Sequence, residues 1–120
     1  MDEINGSPDF AAPGESVDRF LDGRLRLIQS ETGYRFSLDA LLLADFVTIK
    51  AGDRVVDLGT GCGVISLILL SSRPVEMVWG LEIQESLARQ AARNVFLNGC
   101  SERMAVVRGD LRHLPLAGSC

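Results

Sequence analysis

The stretch Val55-Val56-Asp57-Leu58-Gly59-Thr60-Gly61-Cys62-Gly63 decides the fold of this chain. An apolar segment that reaches an acidic residue, passes into alternating glycines and continues as the apolar run from Val64 reads as strand, tight loop and helix. The glycines let the backbone turn sharply and approach a ligand closely, because no Cβ stands in the way. Asp57 closes the strand at its carboxyl end, the edge at which open α/β sheets bind ligands.

The spacing narrows the ligand. A dinucleotide fingerprint asks for a small residue three positions beyond its second glycine, and that position holds Val64. A phosphate-cradling loop would need Gly-Lys-Ser/Thr, and the only lysine is Lys50. Nothing nearby neutralises a polyanion. The pattern therefore favours a ligand with an adenosine and a cationic or zwitterionic tail, for which the Asp57 carboxylate is an asset.

Two further strand ends carry acids. Val75-Glu76-Met77-Val78-Trp79-Gly80-Leu81 reads as a strand ending at Glu82, 23 residues past Gly59. Met104-Ala105-Val106-Val107-Arg108 reads as another, followed by Gly109-Asp110. This series resembles the class I S-adenosylmethionine-dependent methyltransferases, and it implies a Rossmann-like α/β fold. By that resemblance Glu82 takes both ribose hydroxyls of S-adenosylmethionine (S-adenosylhomocysteine as product) and Asp110 meets the adenine amino group. The implied cofactor set is Asp39, Asp57, Gly59, Thr60, Gly61, Gly63, Glu82, Ile83, Asp110 and Leu111. The chemistry is sound without the family, since an ionised carboxylate is acceptor-only and can receive both hydroxyls of a diol.

At 120 residues, 47% of them hydrophobic, the chain has room for one domain. Its apolar residues fall in short runs, so no membrane span is expected, and the acidic start Met1-Asp2-Glu3 is unlike a signal peptide. Cys62, Cys100 and Cys120 are odd in number and lack metal spacing, and His113 is alone, so no metal site is expected and the chain reads as cytoplasmic. Cys62 reads as a small loop filler. The net charge of −4 is not that of a nucleic-acid binder, although Arg19, Arg24, Arg26 and Arg35 gather around one segment and are more simply its solvated face.

Residues 1–17 read as a flexible arm and residues 18–120 as one partial cofactor-binding domain. Asp22-Gly23 signals a hairpin. Ser37 caps a helix from Leu38 to about Val47, with Leu41 to Leu43 as its core face and Asp39 in its first turn. Helices are expected over Val64–Ser72 and Gln84–Leu97. The run Tyr34-Arg35-Phe36-Ser37-Leu38-Asp39 before the leucines resembles the start of the bacterial tRNA(Val) adenine-N6 methyltransferases, whose relatives act on rRNA guanine and release-factor glutamine. That resemblance places Arg35 to Asp39 at the methionine end of the cofactor and implies a tRNA substrate. Such enzymes carry Asn-Pro-Pro-aromatic after a fourth strand, whereas Pro8, Pro13, Pro74 and Pro115 are never adjacent here. The fold is thus expected to stop after its third parallel strand, with the catalytic residues beyond Cys120. The edge from Arg54 to Leu58 would then be left open, and a homodimer through it is expected. The alternatives are a non-catalytic cofactor-binding or dimerisation module, and a nicotinamide oxidoreductase, which Val64 disfavours.

Overall fold

The structure, a computed structural model, describes residues 2–4, 11–32, 38–110 and 112. Its elements are β1 (Asp2–Ile4), β2 (Glu15–Phe20), β3 (Leu25–Ser30), α1 (Leu38–Phe46), β4 (Arg54–Leu58), α2 (Val64–Ser72), β5 (Met77–Glu82), α3 (Glu85–Leu97) and β6 (Met104–Arg108). Four strands form one sheet in the order β1-β6-β5-β4, with β4, β5 and β6 parallel and β1 antiparallel to β6. Three parallel strands joined by two helical crossovers give the Rossmann-like arrangement implied by the glycine loop. Among the described residues β4 pairs only with β5, and none of its residues is fully buried, Val55 to Asp57 being half-buried and Arg54 and Leu58 exposed.

The core joins α2 and α3 to β5, β6 and the hairpin. Val64, Leu67, Ile68, Leu69 and Leu70 of α2 are all buried, which marks an interior helix. In α3 the buried face is largely small, with Ala88, Ala91 and Ala92 at most 2% exposed, so the helix lies close to its neighbours.

Several elements differ from expectation for identifiable reasons. The hairpin forms, but its loop is the four residues Leu21 to Arg24, because Leu21 and Asp22 join Gly23 at positive φ. Residues 2–4 and 15–17, within the expected arm, are strand residues, the first group pairing with Val106 to Arg108. Of the leucine run only Leu41 packs against the core: Leu42 is 59% and Leu43 53% exposed. The covered stripe of α1 is Ala40 and Ala44, four apart, against α2. The Ser37 cap, the segment 33–37, Leu111, His113 and Cys120 lie outside the described residues. Among the described residues no helix is long and apolar enough to cross a membrane, and no cluster of three metal-ligating side chains occurs.

Candidate functional site

The loop after β4 is built on three left-handed glycines, Gly59 (φ 71°), Gly61 (φ 58°) and Gly63 (φ 87°). A side chain at any of them would strain the backbone. Gly63 serves as N-cap of α2, and its carbonyl accepts the first helical bond from Leu67 N–H at 3.0 Å.

Asp57 organises this loop from within. Its Oδ2 accepts the Thr60 hydroxyl at 2.8 Å and the Ser66 hydroxyl at 2.6 Å. Thr60 is 5% exposed and also donates its N–H to the Leu81 carbonyl at 2.9 Å, so its side chain points inward. Ser66, fully buried on an otherwise apolar stretch of α2, was missed by the sequence reading, and a lone hydroxyl in such a helix was the available signal. Gly80 was also missed. A Cβ there would stand 2.9 Å from Thr60 Oγ1 and 3.0 Å from Thr60 Cγ2, so only glycine leaves room for Thr60 above β5.

Glu82 is where three strand ends meet. The residue is 7% exposed; its Oε1 accepts the Gly61 N–H at 2.9 Å and Oε2 the Gln84 N–H at 3.0 Å. Its carbonyl accepts the Gly109 N–H at 3.1 Å, which brings the segment after β6 alongside. A carboxylate has about four lone-pair sites. Two backbone bonds orient it and leave each oxygen able to accept one more donor, the pattern a vicinal diol requires. Leu58 and Ile83, each 54% exposed, set apolar surface at the ends of β4 and β5 beside it.

Asp110 follows β6 and is engaged by Arg112, whose Nε reaches both oxygens at 3.0 Å while its N–H reaches Oδ1 at 2.9 Å. These bonds raise the Arg112 pKa above its ordinary value. A ligand amino group approaching Asp110 shares the carboxylate with an arginine that is itself 81% exposed. Asp39 lies in the first turn of α1 and is exposed. Burial pushes the Cys62 thiol pKa up, as suits a side chain that fills the loop interior.

Asn94 on α3, wholly buried, clamps the loop from the other side. Its Nδ2 donates to the Cys62 carbonyl at 2.9 Å and to the Ile28 carbonyl at 3.2 Å, while Oδ1 accepts the Ile28 N–H at 2.6 Å. One turn on, Asn98 repeats the pairing with Arg26, accepting its N–H at 2.9 Å and donating to its carbonyl at 2.6 Å. Four helical residues rise about 6 Å, and two strand residues span about 6.6 Å, so the two amides meet alternate residues of β3. Arg26 adds a bond from Nη2 to the Leu97 carbonyl at 3.1 Å. Arg93 pairs with Glu15 of β2 at 2.8 Å. The hairpin is therefore tied to the same helix that holds the glycine loop.

The family described as Protein-L-isoaspartate(D-aspartate) O-methyltransferase (PCMT) matches residues 15–113. The chain belongs to that family, and its fold is that of the class I methyltransferases. A tRNA1(Val) (adenine(37)-N6)-methyltransferase of Bacteroides thetaiotaomicron is 36% identical over 73 residues, 60% of this chain and 31% of that protein. A release factor glutamine methyltransferase of Gloeobacter violaceus is 38% identical over 66 residues, 55% of this chain and 23% of that protein. The chain thus spans about a third or less of the length of these relatives. A solved structure from Pyrococcus horikoshii is similar with a TM-score of 0.72 at 20% identity, covering 87% of this chain and 39% of that one. An S-adenosyl-L-homocysteine complex of a Thiobacillus denitrificans methyltransferase gives 0.55 at 23% identity, over 62% of this chain and 30% of that one. At these identities the two structures speak for the fold.

Proposed function

We propose that this chain forms the cofactor-binding part of an S-adenosylmethionine-dependent methyltransferase that acts on adenine N6 in a structured RNA of the tRNA class. The observation that carries the reading is the Glu82 carboxylate, oriented by two backbone N–H groups at the meeting of three strand ends and able to accept a diol. Bound there, the cofactor would supply an electrophilic methyl group on a sulfonium. The residues of this chain would hold it: Glu82 the ribose, Ile83 and Leu58 the faces of the adenine, Asp110 its amino group, and Gly59 and Gly61 the close backbone approach. Asp57 and Thr60 shape the loop, with Asp39 at the methionine end. The RNA part of the reading follows the names of the adenine-N6 relatives, and such a role would put the protein in the cytoplasm. The glutamine methyltransferase relative supports a second reading, a protein side-chain amide as acceptor.

The test is calorimetric titration with S-adenosylhomocysteine and with its 2′-deoxy analogue. Each hydrogen bond to a charged group contributes roughly 1.5–3 kcal/mol. Glu82→Ala should therefore weaken S-adenosylhomocysteine about 10- to 100-fold, while Arg54→Ala, at the opposite end of β4, should leave it unchanged. The deoxy analogue should bind the parent chain about tenfold more weakly than the full ligand and bind Glu82→Ala equally. Equal affinity of parent and Glu82→Ala for the full ligand would remove the assignment.

A further inference from the structure

Adjoining the Glu82 site through Gln84 lies a cleft of about 360 Å³ between the open end of the hairpin and the first turn of α3. Gly14, Glu15 and Ser30 line it from the hairpin side, and Gln84, Ser86 and Gln90 from the helix side. Gln90 is 6% exposed and has no hydrogen bond to another described residue. Yet no fully buried polar side-chain atom lacks a partner among the described residues. Both statements hold only when the small exposed part of Gln90 is its amide, facing the cleft. That amide makes no bond within the described chain and is open on the cleft side, so it is available to a ligand there.

The first turn of α3 adds donors to the same wall. Gln84, its N-cap, makes no side-chain capping bond, and the first helical bond runs from Ala88 N–H to the Gln84 carbonyl. The N–H groups of Glu85, Ser86 and Leu87 therefore precede the helical ladder. An anion is nonetheless a poor occupant. The Glu15 carboxylate stands in the lining with its charge matched by Arg93, and Glu85 of the same turn is matched by Arg89 at 3.0 Å. A phosphate would meet two acids whose cations are already committed.

The occupant that remains is neutral, with a donor and an acceptor side by side. Glutamine reads that pair on the edge of adenine with its carboxamide, and unpaired RNA bases are read on such edges. The volume is at the low end for small-molecule cavities, enough for a base and part of its sugar. We propose that this cleft takes an unpaired adenine of the RNA substrate, held by the Gln90 carboxamide and the leading N–H groups of α3. The proposal rests on the RNA methyltransferase reading above.

The experiment follows the side-chain amide resonances of the whole chain, saturated with S-adenosylhomocysteine, during titration with triadenylate. A saturable shift at Gln90 is expected, with at least tenfold weaker binding in Gln90→Leu, weaker binding of triuridylate to the parent, and S-adenosylhomocysteine affinity unchanged in the variant. Gln90→Glu, which keeps an acceptor and loses the donor, should also weaken triadenylate and serves if the leucine variant folds poorly. An unmoved Gln90 resonance, equal triadenylate affinity in the variants, or equal binding of triuridylate would overturn the proposal. The titration is repeated without S-adenosylhomocysteine, so a failure of the cofactor reading shows separately as absent S-adenosylhomocysteine binding.

Discussion

Gly80→Ala should destabilise the chain through a single side chain one loop away. The new Cβ would stand 2.9 Å from Thr60 Oγ1, 3.0 Å from Thr60 Cγ2 and 3.1 Å from Met104 Cε. Met104 is flexible and its terminal methyl can move at little cost. Thr60 cannot yield so easily, being β-branched, bonded through its hydroxyl to Asp57 and through its N–H to Leu81. Overpacking of this kind costs about 1–3 kcal/mol. Weakening the charge-assisted Thr60 to Asp57 bond adds a part of its roughly 1.5–3 kcal/mol. Against these stands the conformational advantage of alanine over glycine in a strand, about 0.5–1 kcal/mol. The net is a loss of about 2–3 kcal/mol, a large share of the roughly 5–15 kcal/mol by which domains are stable. With a urea m-value near 2 kcal/mol/M the midpoint should fall by about 1–1.5 M. Thr60→Ser, which keeps the hydroxyl and removes Cγ2, should couple favourably with Gly80→Ala by at least about 0.5 kcal/mol in a double-mutant cycle. An unchanged midpoint in Gly80→Ala, or strict additivity in the cycle, would refute the packing argument.

Two other outcomes follow from the ties between helix and hairpin. Asn94→Leu leaves the Ile28 N–H, the Ile28 carbonyl and the Cys62 carbonyl without their amide, at about 1–3 kcal/mol for each buried group; urea unfolding should show a loss of several kcal/mol and hydrogen exchange a faster Ile28 amide, and a loss below about 1 kcal/mol would contradict the geometry. Burial opposes ionisation of Glu15, but the hydrogen bonds from Arg93 and from Ala12 N–H, with the Arg93 charge, outweigh it and hold the carboxyl below its ordinary value. Its contribution is therefore full above the unfolded carboxylate range, near pH 4.5, and lost as the pH falls through the lower folded value. Arg93→Ala should remove that part of the acid dependence of the thermal midpoint, and an unaltered acid limb would count against the pairing.

The geometry of the candidate site was legible where its logic is local. Gly59 to Gly63 and the acids Glu82 and Asp110 follow directly from strand ends, and the hairpin was visible in Asp22-Gly23. What stayed hidden acts across the chain. Asn94 reaches Ile28 over 66 residues and Asn98 reaches Arg26 over 72, and nothing in the helix itself distinguishes such amides from solvated ones. Gly80 looked like an ordinary strand residue because its reason lies in Thr60 above it. Leu42 and Leu43 read as core because a leucine run carries no record of how many sides of the helix are covered.

The paired asparagines make α3 a surrogate strand. Both amides recognise main-chain N–H and carbonyl groups, so this part of the docking of β3 at Arg26 and Ile28 is indifferent to side-chain identity, while Leu25, Leu27 and Ile28 of the same strand are buried in the core. The same bonds occupy the outer edge of β3 at these two residues, main chain that an exposed strand would otherwise offer to another polypeptide. A relative could therefore exchange the exposed side chains of the hairpin, and with them whatever they meet, while N-x-x-x-N on the helix and the buried Leu25, Leu27 and Ile28 kept the ribbon in register.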